Sequence, residues 1–212
     1  RMRLGVHICE DAWWGEADTF YHEDPSRQPD PVAQLAKQGI DLFIILSASP
    51  FEVAKPDRRT GILKRHVKLH RKPFVFVNEV GGNDDLVFDG HSLVVDASGQ
   101  LVKRLKGFDA DFAVVDTEQL SGKELPPAGP RAGLILDALT LGLRDYMRKS
   151  GFSDCVLGLS GGIDSALAAC IAARAVGAER VHGLLMPSRF SSDHSVRDAQ
   201  TLADNLGLDS KI

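Results

Sequence analysis

Eight consecutive residues, Gly158, Leu159, Ser160, Gly161, Gly162, Ile163, Asp164 and Ser165, have the types and spacing that hold a phosphate. The glycines free the backbone to aim N–H groups at an anion, and Ser160 and Ser165 add hydroxyls. Asp164 adds a hard carboxylate of the kind that takes Mg²⁺. Segment 155–157 is short and apolar and reads as a buried strand, while the alanine-rich segment 166–173 reads as a helix. That order puts the positive end of a helix dipole beside the same anion. The Gly-Lys-Ser/Thr ending of a Walker loop is absent, so γ-phosphoryl transfer is not the natural chemistry. A second reactive group stands near the other end of the chain. Cys9 follows the alternating Leu4, Val6 and Ile8 and precedes Glu10 and Asp11, which places a thiol at a strand end, where a nucleophile is exposed.

A thiol attacks as its thiolate and needs a base and a positive neighbour. His7 lies two residues before Cys9, on the same strand face, so a Cys–His pair is conceivable, although such pairs usually join distant parts of a fold. Cys155 and Cys170 sit among aliphatic residues and read as core thiols.

These groups need elements to position them. Asp30 followed by Pro31 reads as an N-cap and first helical residue, with Gly39 closing that helix. Segments 41–46 and 73–77 read as strands, and 58–70 as a basic helix with Ile62, His66 and Leu69 on one face. Segments 91–96 and 101–105 flank Ala97, Ser98, Gly99 and Gln100, a hairpin signature, and 112–115 reads as a last short strand. Segment 121–133, with Pro126, Pro127, Pro130 and three glycines, is the expected linker. Beyond it Leu136, Leu139, Leu143, Tyr146 and Met147 recur at helical spacing. Val181 to Met186 reads as a further strand. Ser195 with Asp198 reads as a capping pattern for a helix buried through Val196, Ala199, Leu202, Ala203 and Leu206 and stopped at Gly207. Strand, helix, strand, helix at this spacing is a doubly wound α/β unit with ligands at the carboxyl ends of its strands.

The bulk numbers exclude several classes. The chain has 212 residues, a net charge of −4 and no basic block, so nothing points to nucleic acid or an anionic membrane. No apolar run reaches the roughly 18 residues of a membrane span. Three cysteines without metal-ligand spacing argue for a reducing, cytoplasmic setting. The opening residues do not read as a secretory leader. They alternate as a strand, so the chain is expected to start inside a fold and to be a fragment of a longer protein.

Four resemblances add to this reading. The run 158–165 resembles the Ser-Gly-Gly-x-Asp-Ser loop of ATP pyrophosphatases, which hold the pyrophosphate of ATP while a substrate oxygen attacks the α-phosphate. The segment Gly5, Val6, His7, Ile8, Cys9, Glu10, Asp11 resembles the nucleophile motif of the carbon–nitrogen hydrolase (nitrilase) superfamily, whose Cys, Glu and Lys cleave amides through a thioester. That family's Glu and Lys lie upstream of its Cys, so both would precede residue 1, and Glu10 is read as a pocket residue. The segments 47–51 and 77–90 resemble stretches that line the glutaminase site of synthetase-linked amidases, where Ser49 and Lys55 match residues gripping the glutamine α-amino and carboxylate groups. The pairing is similar to glutamine-dependent NAD⁺ synthetases, as are Leu141 to Tyr146 with Lys149, Gly151 and Phe152, and Met186 to Ser192.

The resemblance implies an α/β protein: a nitrilase-like α-β-β-α sandwich portion over 1–120, the linker over 121–133, and over 134–212 the first part of a doubly wound, adenine nucleotide α-hydrolase-like synthetase. It implies glutamine hydrolysis at Cys9 and adenylation of nicotinic acid adenine dinucleotide by ATP. Amidation to NAD⁺ would follow, with AMP and pyrophosphate released. Gly158 to Ser165, with Met186 near adenine and Arg189 near phosphate, would bind ATP, and Asp164 would hold Mg²⁺. Small molecules are the implied partners, in a homo-oligomer. Three other readings compete. One is another ATP pyrophosphatase amidotransferase, which would carry a different glutaminase domain. Another is a stand-alone carbon–nitrogen hydrolase with a degenerate nucleotide module, which would have lost Asp164 or a glycine. The third is a non-catalytic piece that binds ATP weakly.

Overall fold

The computed structural model describes residues 1–17, 19, 29–187, 189 and 192–212. The chain divides into two compact units, Arg1–Gly81 with Leu86–Leu134, and Gly82–Asp85 with Ile135–Ile212.

The first unit is built on a five-stranded sheet in the order β1-β2-β3-β6-β7. Its strands are β1 (Leu4–Ile8), β2 (Leu42–Ser47), β3 (Phe74–Asn78), β6 (Leu93–Val95) and β7 (Leu101–Arg104). A separate hairpin pairs β4 (Val80–Asn83) with β5 (Leu86–Asp89). The first three strands run parallel, joined by α1 (Pro31–Ala36) and α2 (Lys55–His70). Antiparallel β6 and β7 close the edge. The expected cap is present: Asp30 Oδ1 accepts the Ala33 N–H at 3.0 Å, with Pro31 in the first turn. The 97–100 turn also forms, with Gly99 at φ +93°.

One face of this sheet carries the core. Phe43, Ile45, Phe74, Phe76 and Val95 pack with Val32 of α1 and Ile62, Leu63 and Val67 of α2. The helix stripe therefore runs 59, 62, 63, 66, 67, and the expected Leu69 turns outward, because its phase falls off the i, i+3, i+4 row. On the opposite sheet face Leu4, Val6, Ile8, Leu46 and Val77 are exposed, which is aliphatic surface of the kind that proteins cover. The expected strand at 112–115 does not form: Phe112 and Val114 are 84% and 83% exposed, with no ladder to pair with. Residues of the proline-rich stretch 121–133 lie along β7 rather than swinging free. The Leu125 N–H donates to Leu101 O at 2.9 Å, and Glu124 accepts from the Leu101 N–H and Lys64.

In the second unit β8 (Cys155–Gly158), β9 (Val181–Leu184) and β10 (Asp209–Lys211) form a parallel sheet in the order β10-β9-β8. Helix α4 (Ile163–Val176) links β8 to β9, and α5 (Asp193–Leu206) links β9 to β10. Ala169 and Ala172 of α4 meet Ala199 and Ala203 of α5 in a core with Leu159, Val181 and Leu185. Small side chains let both helices approach the sheet closely. Gly207, at φ +71°, ends α5 as expected, but the N-cap is Ser192 rather than Ser195, which lies inside the first turn. Helix α3 (Arg131–Ser150) belongs to this unit from Ile135 onward. Its buried positions are Leu134, Ala138, Thr140, Leu141, Asp145 and Met147, so the expected stripe is out of phase at Leu139 and Tyr146, which are exposed. Asp145 accepts the Gly82 N–H at 2.8 Å, which ties Gly82–Asp85 to this helix.

Two buried imidazoles make the first unit sensitive to acid. His7 packs edge-on against Phe43 and Phe74, and neither of its ring nitrogens has a partner among the described residues. His66 hydrogen-bonds Ala12 O at 2.7 Å. Burial pushes both below the usual histidine range. A histidine with a depressed folded-state pKa binds its proton more readily when unfolded, so stability is complete above about pH 6.5 and falls as pH drops below it. Thermal melts should therefore be flat above neutrality and decline toward pH 5. His7→Leu, which fills the volume without a titrating group, should reduce the decline; an unchanged slope would remove His7 from the account.

Candidate functional site

Cys9 is the first residue of a 3₁₀ turn, Cys9–Trp13, that begins where β1 ends. Its φ is +44°, a region that side chains other than glycine seldom occupy, and such strain concentrates at functional positions. Asp11 Oδ2 accepts the Ile8 N–H at 3.0 Å and closes the turn. The thiol is half-buried and Glu10 is exposed. Trp13 is buried in the same turn, with Lys55 Nζ at 5.7 Å and the Arg58 guanidinium at 5.1 Å from its ring centroid. Lys55, far away in sequence, is thus brought to the turn that Cys9 opens, where it also meets Glu52 at 2.8 Å. The conceivable Cys9–His7 pair does not form. The turn starting at Cys9 ends the strand's alternation and leaves His7 in the core.

Beside this turn lie the carboxyl ends of β2 and β3, which hold a buried polar network that sequence reasoning missed. Arg59, 2% exposed, donates to both oxygens of Asp89, which is fully buried, at 3.2 and 3.0 Å. Arg59 also donates to Ser49 Oγ at 3.2 Å. Asn78 Oδ1 accepts the Ser49 N–H at 2.9 Å, and His91 Nδ1 meets Asp89 Oδ2 at 2.8 Å. Burial alone would raise the Asp89 pKa, but the bonds from His91 and Arg59 outweigh it and hold the carboxyl below its usual range. Ser49 is 4% exposed, and since its oxygen accepts from Arg59, its own proton stays available to donate. Arg59 looked like one more charge on a basic helix, and only the fold brings Asp89 to it.

The phosphate loop is all in the second unit. It leaves β8 at Gly158, and Gly162 caps α4. Ser165 Oγ receives the Ser160 N–H at 3.2 Å, lies 3.0 Å from Ser160 Oγ and donates to Gly162 O at 3.0 Å. The two hydroxyls thus brace the loop. Ile163, Asp164 and Ser165 form the first helical turn, whose amides have no acceptor four residues back. Gly161, at φ +78°, has no room for a side chain: a Cβ there would lie 2.2 Å from the Ser195 carbonyl oxygen. Leu159 is placed differently from the rest of the run. Its side chain is buried in the core and its N–H donates to Leu184 O at 2.8 Å, so it anchors the loop.

Met186 lines a cavity of about 120 Å³ with Leu159, Ser160, Pro187, Ser195 and Val196. Arg189 is exposed, and its neighbours Ser188, Phe190 and Ser191 lie outside the described residues. A single exposed carboxylate, Asp164, stands in the helix's first turn, and no cluster of three or more His, Cys, Asp or Glu side chains occurs among the described residues. That donor set fits Mg²⁺ held by one carboxylate together with substrate phosphates, and does not fit an all-protein metal cage.

Comparison with known proteins gives a consistent result. The profile described as NAD synthase matches residues 135–212. The glutamine-dependent NAD(+) synthetase of Synechocystis is 42% identical over 99% of this chain and 38% of its own length. That of Thermotoga maritima is 37% identical over the whole chain and 41% of its own length. Among solved structures, a glutamine-dependent NAD⁺ synthetase from Acinetobacter baumannii, in complex with ADP, superposes with a TM-score of 0.85 at 38% identity over 98% of this chain and 38% of its own. One from Cytophaga hutchinsonii shares the fold, with a TM-score of 0.69 at 22% identity. The chain thus spans about two-fifths of the length of these relatives, and over that length it is similar to glutamine-dependent NAD(+) synthetases.

Proposed function

We propose that the full-length protein makes NAD⁺ with glutamine as nitrogen source. The observation that carries this reading is that one chain holds both a strained cysteine at a strand end and a pyrophosphate-type loop. Residues 1–120 are the later part of a nitrilase-like α-β-β-α glutaminase, 121–133 the connecting stretch, and 134–212 the first part of the synthetase. The aliphatic sheet face of Val6, Ile8, Leu46 and Val77 suits the second sheet of such a sandwich.

Cys9 attacks the side-chain carboxamide of glutamine. The C–N bond breaks, ammonia leaves, and water then releases glutamate from the thioester. Lys55 and Ser49 grip the α-carboxylate and α-amino groups, with Glu10 beside them. In the synthetase half the carboxylate of nicotinic acid adenine dinucleotide attacks the α-phosphate of ATP and expels pyrophosphate. Ammonia displaces AMP from the acyl-adenylate and gives NAD⁺. Gly158, Ser160, Gly161, Gly162, Ile163 and Ser165 receive the pyrophosphate on amides and hydroxyls, while Met186 meets adenine and Arg189 a phosphate. Asp164 is the residue that would hold Mg²⁺, which, when bound, offsets charge on the departing pyrophosphate. The enzyme works in the cytoplasm as a homo-oligomer on small molecules, without nucleic acid or membrane partners.

The test is a stoichiometric assay of the full-length protein. Glutamate, AMP, pyrophosphate and NAD⁺ should appear in equal amounts from glutamine, ATP and nicotinic acid adenine dinucleotide. AMP formation without NAD⁺, or NAD⁺ from ammonia but never from glutamine, would overturn the reading.

A further inference from the structure

Most of the polar side chains at the carboxyl ends of β2 and β3 are engaged. Asn78 uses both ends of its amide, on Ser49 and Asp89, and Ser49 Oγ accepts from Arg59. Ser47 is the exception: its Oγ is buried and has no hydrogen-bond partner among the described residues. Its backbone is fixed, since Ser47 pairs with Asn78 in the sheet and its carbonyl accepts the Glu79 N–H at 2.9 Å. The ladder also places its neighbourhood. Its last rung pairs Ile8 with Leu46, the residues just before Cys9 and Ser47, so both follow from the same end of the β1–β2 pair. A hydroxyl taken from water and given no partner is a cost the fold does not need, since alanine would fill the same place. A hydroxyl kept there at the nucleophile's side has a use once a polar ligand arrives.

We propose that Ser47 is a further positioning residue of the glutaminase site, hydrogen-bonding the reacting carboxamide end of glutamine when that end is seated at Cys9. The inference rests on the glutaminase reading above. It assigns Ser47 to the primary carboxamide, whereas Ser49 and Lys55 serve the amino-acid end. The hydroxyl both donates and accepts, so it suits a group that carries a carbonyl oxygen and an amide nitrogen on one carbon.

The experiment compares wild type, Ser47→Ala, Ser47→Thr and Cys9→Ala in the full-length protein, reading glutamate release, ammonia-driven NAD⁺ synthesis and thermal melting. Ser47→Ala should raise the KM for glutamine about five- to tenfold, the size of one lost hydrogen bond, with kcat and ammonia-driven synthesis unchanged. Its melting temperature should stay level or rise, because a partnerless buried hydroxyl has been removed; a structural role predicts the opposite. Ser47→Thr, which keeps the hydroxyl, should recover most of the affinity. An unchanged KM in Ser47→Ala, or a lower melting temperature with both activities falling together, overturns the assignment. A wild-type protein that releases no glutamate, or a Cys9→Ala protein that still does, overturns the glutaminase reading itself and this inference with it.

Discussion

Cys9→Ala in the full-length protein should abolish glutamine-driven NAD⁺ synthesis and leave ammonia-driven synthesis intact. The thioester requires a sulfur, and water offers no substitute at that position, so the expected loss of glutamate release is on the order of 10⁴-fold or more. Folding is expected to be unaffected. Cys9 is half-buried, and alanine meets the same φ of +44° with a similar penalty, so strain is neither added nor relieved. The second half of the assay gives the result its meaning. The loop from Gly158 to Ser165 belongs to the other unit, with its own strand and helices, so the proposed adenylation should proceed whatever the nitrogen source. Glutamate released at the normal rate by the mutant would show that Cys9 is a packing thiol. Loss with both glutamine and ammonia would show instead that the substitution damages the fold.

The parts of both sites that could be read in the sequence are local ones. The loop from Gly158 to Ser165 is contiguous, and the residues that shape it are those that would bind. Cys9 is legible because a strand end and its following turn occupy a few residues. Asp30 with Pro31 and the Gly207 stop are legible for the same reason. What failed is whatever depends on phase or on distant partners. Leu69, Leu139 and Tyr146 are apolar or aromatic at helical spacing yet exposed, because the buried row of each helix is chosen by what packs against it. Residues 112–115 have the composition of a strand but find no ladder, and strand composition without a partner makes no strand.

The network around Arg59 shows the same limit from the polar side. Arg59 and Asp89 are 30 residues apart in the chain, Ser49 and Asn78 are 29 apart, and His91 reaches Asp89 only through a backbone φ of +49°. Ser49 and the segment 77–90 stand out in the sequence only through a resemblance, and Arg59 and His91 do not stand out at all. Brought together and buried, they become a braced scaffold: removing Arg59 would strand the Asp89 charge in the core, a change of about 3–5 kcal/mol. The scaffold joins the ends of the strands that lie beside Cys9, and so ties the stability of the first unit to the shape of the pocket proposed for glutamine.

Asp164→Asn should lower NAD⁺ synthesis with either nitrogen source by about 100-fold or more, the usual scale for removing one charge-stabilising group from a reacting centre. The side chain keeps its size and loses the charge that would hold Mg²⁺ near the pyrophosphate. A competing explanation for an aspartate here is helix capping, and the structure limits it: the N-cap is Gly162, so Asp164 sits within the first turn and not at the cap. What remains is its interaction with the helix dipole, about 0.3–1 kcal/mol of stability, too little to unfold the unit. The decisive assay is pyrophosphate release from ATP with nicotinic acid adenine dinucleotide and excess ammonia, paired with a melting curve. Slow release from a normally folded mutant assigns Asp164 to the metal and the leaving group. Wild-type release would reduce it to a dipole partner and leave the hydroxyls and amides of the loop to carry the pyrophosphate alone. Glutamine hydrolysis, measured separately, should fall far less, because Cys9 and its turn lie in the first unit.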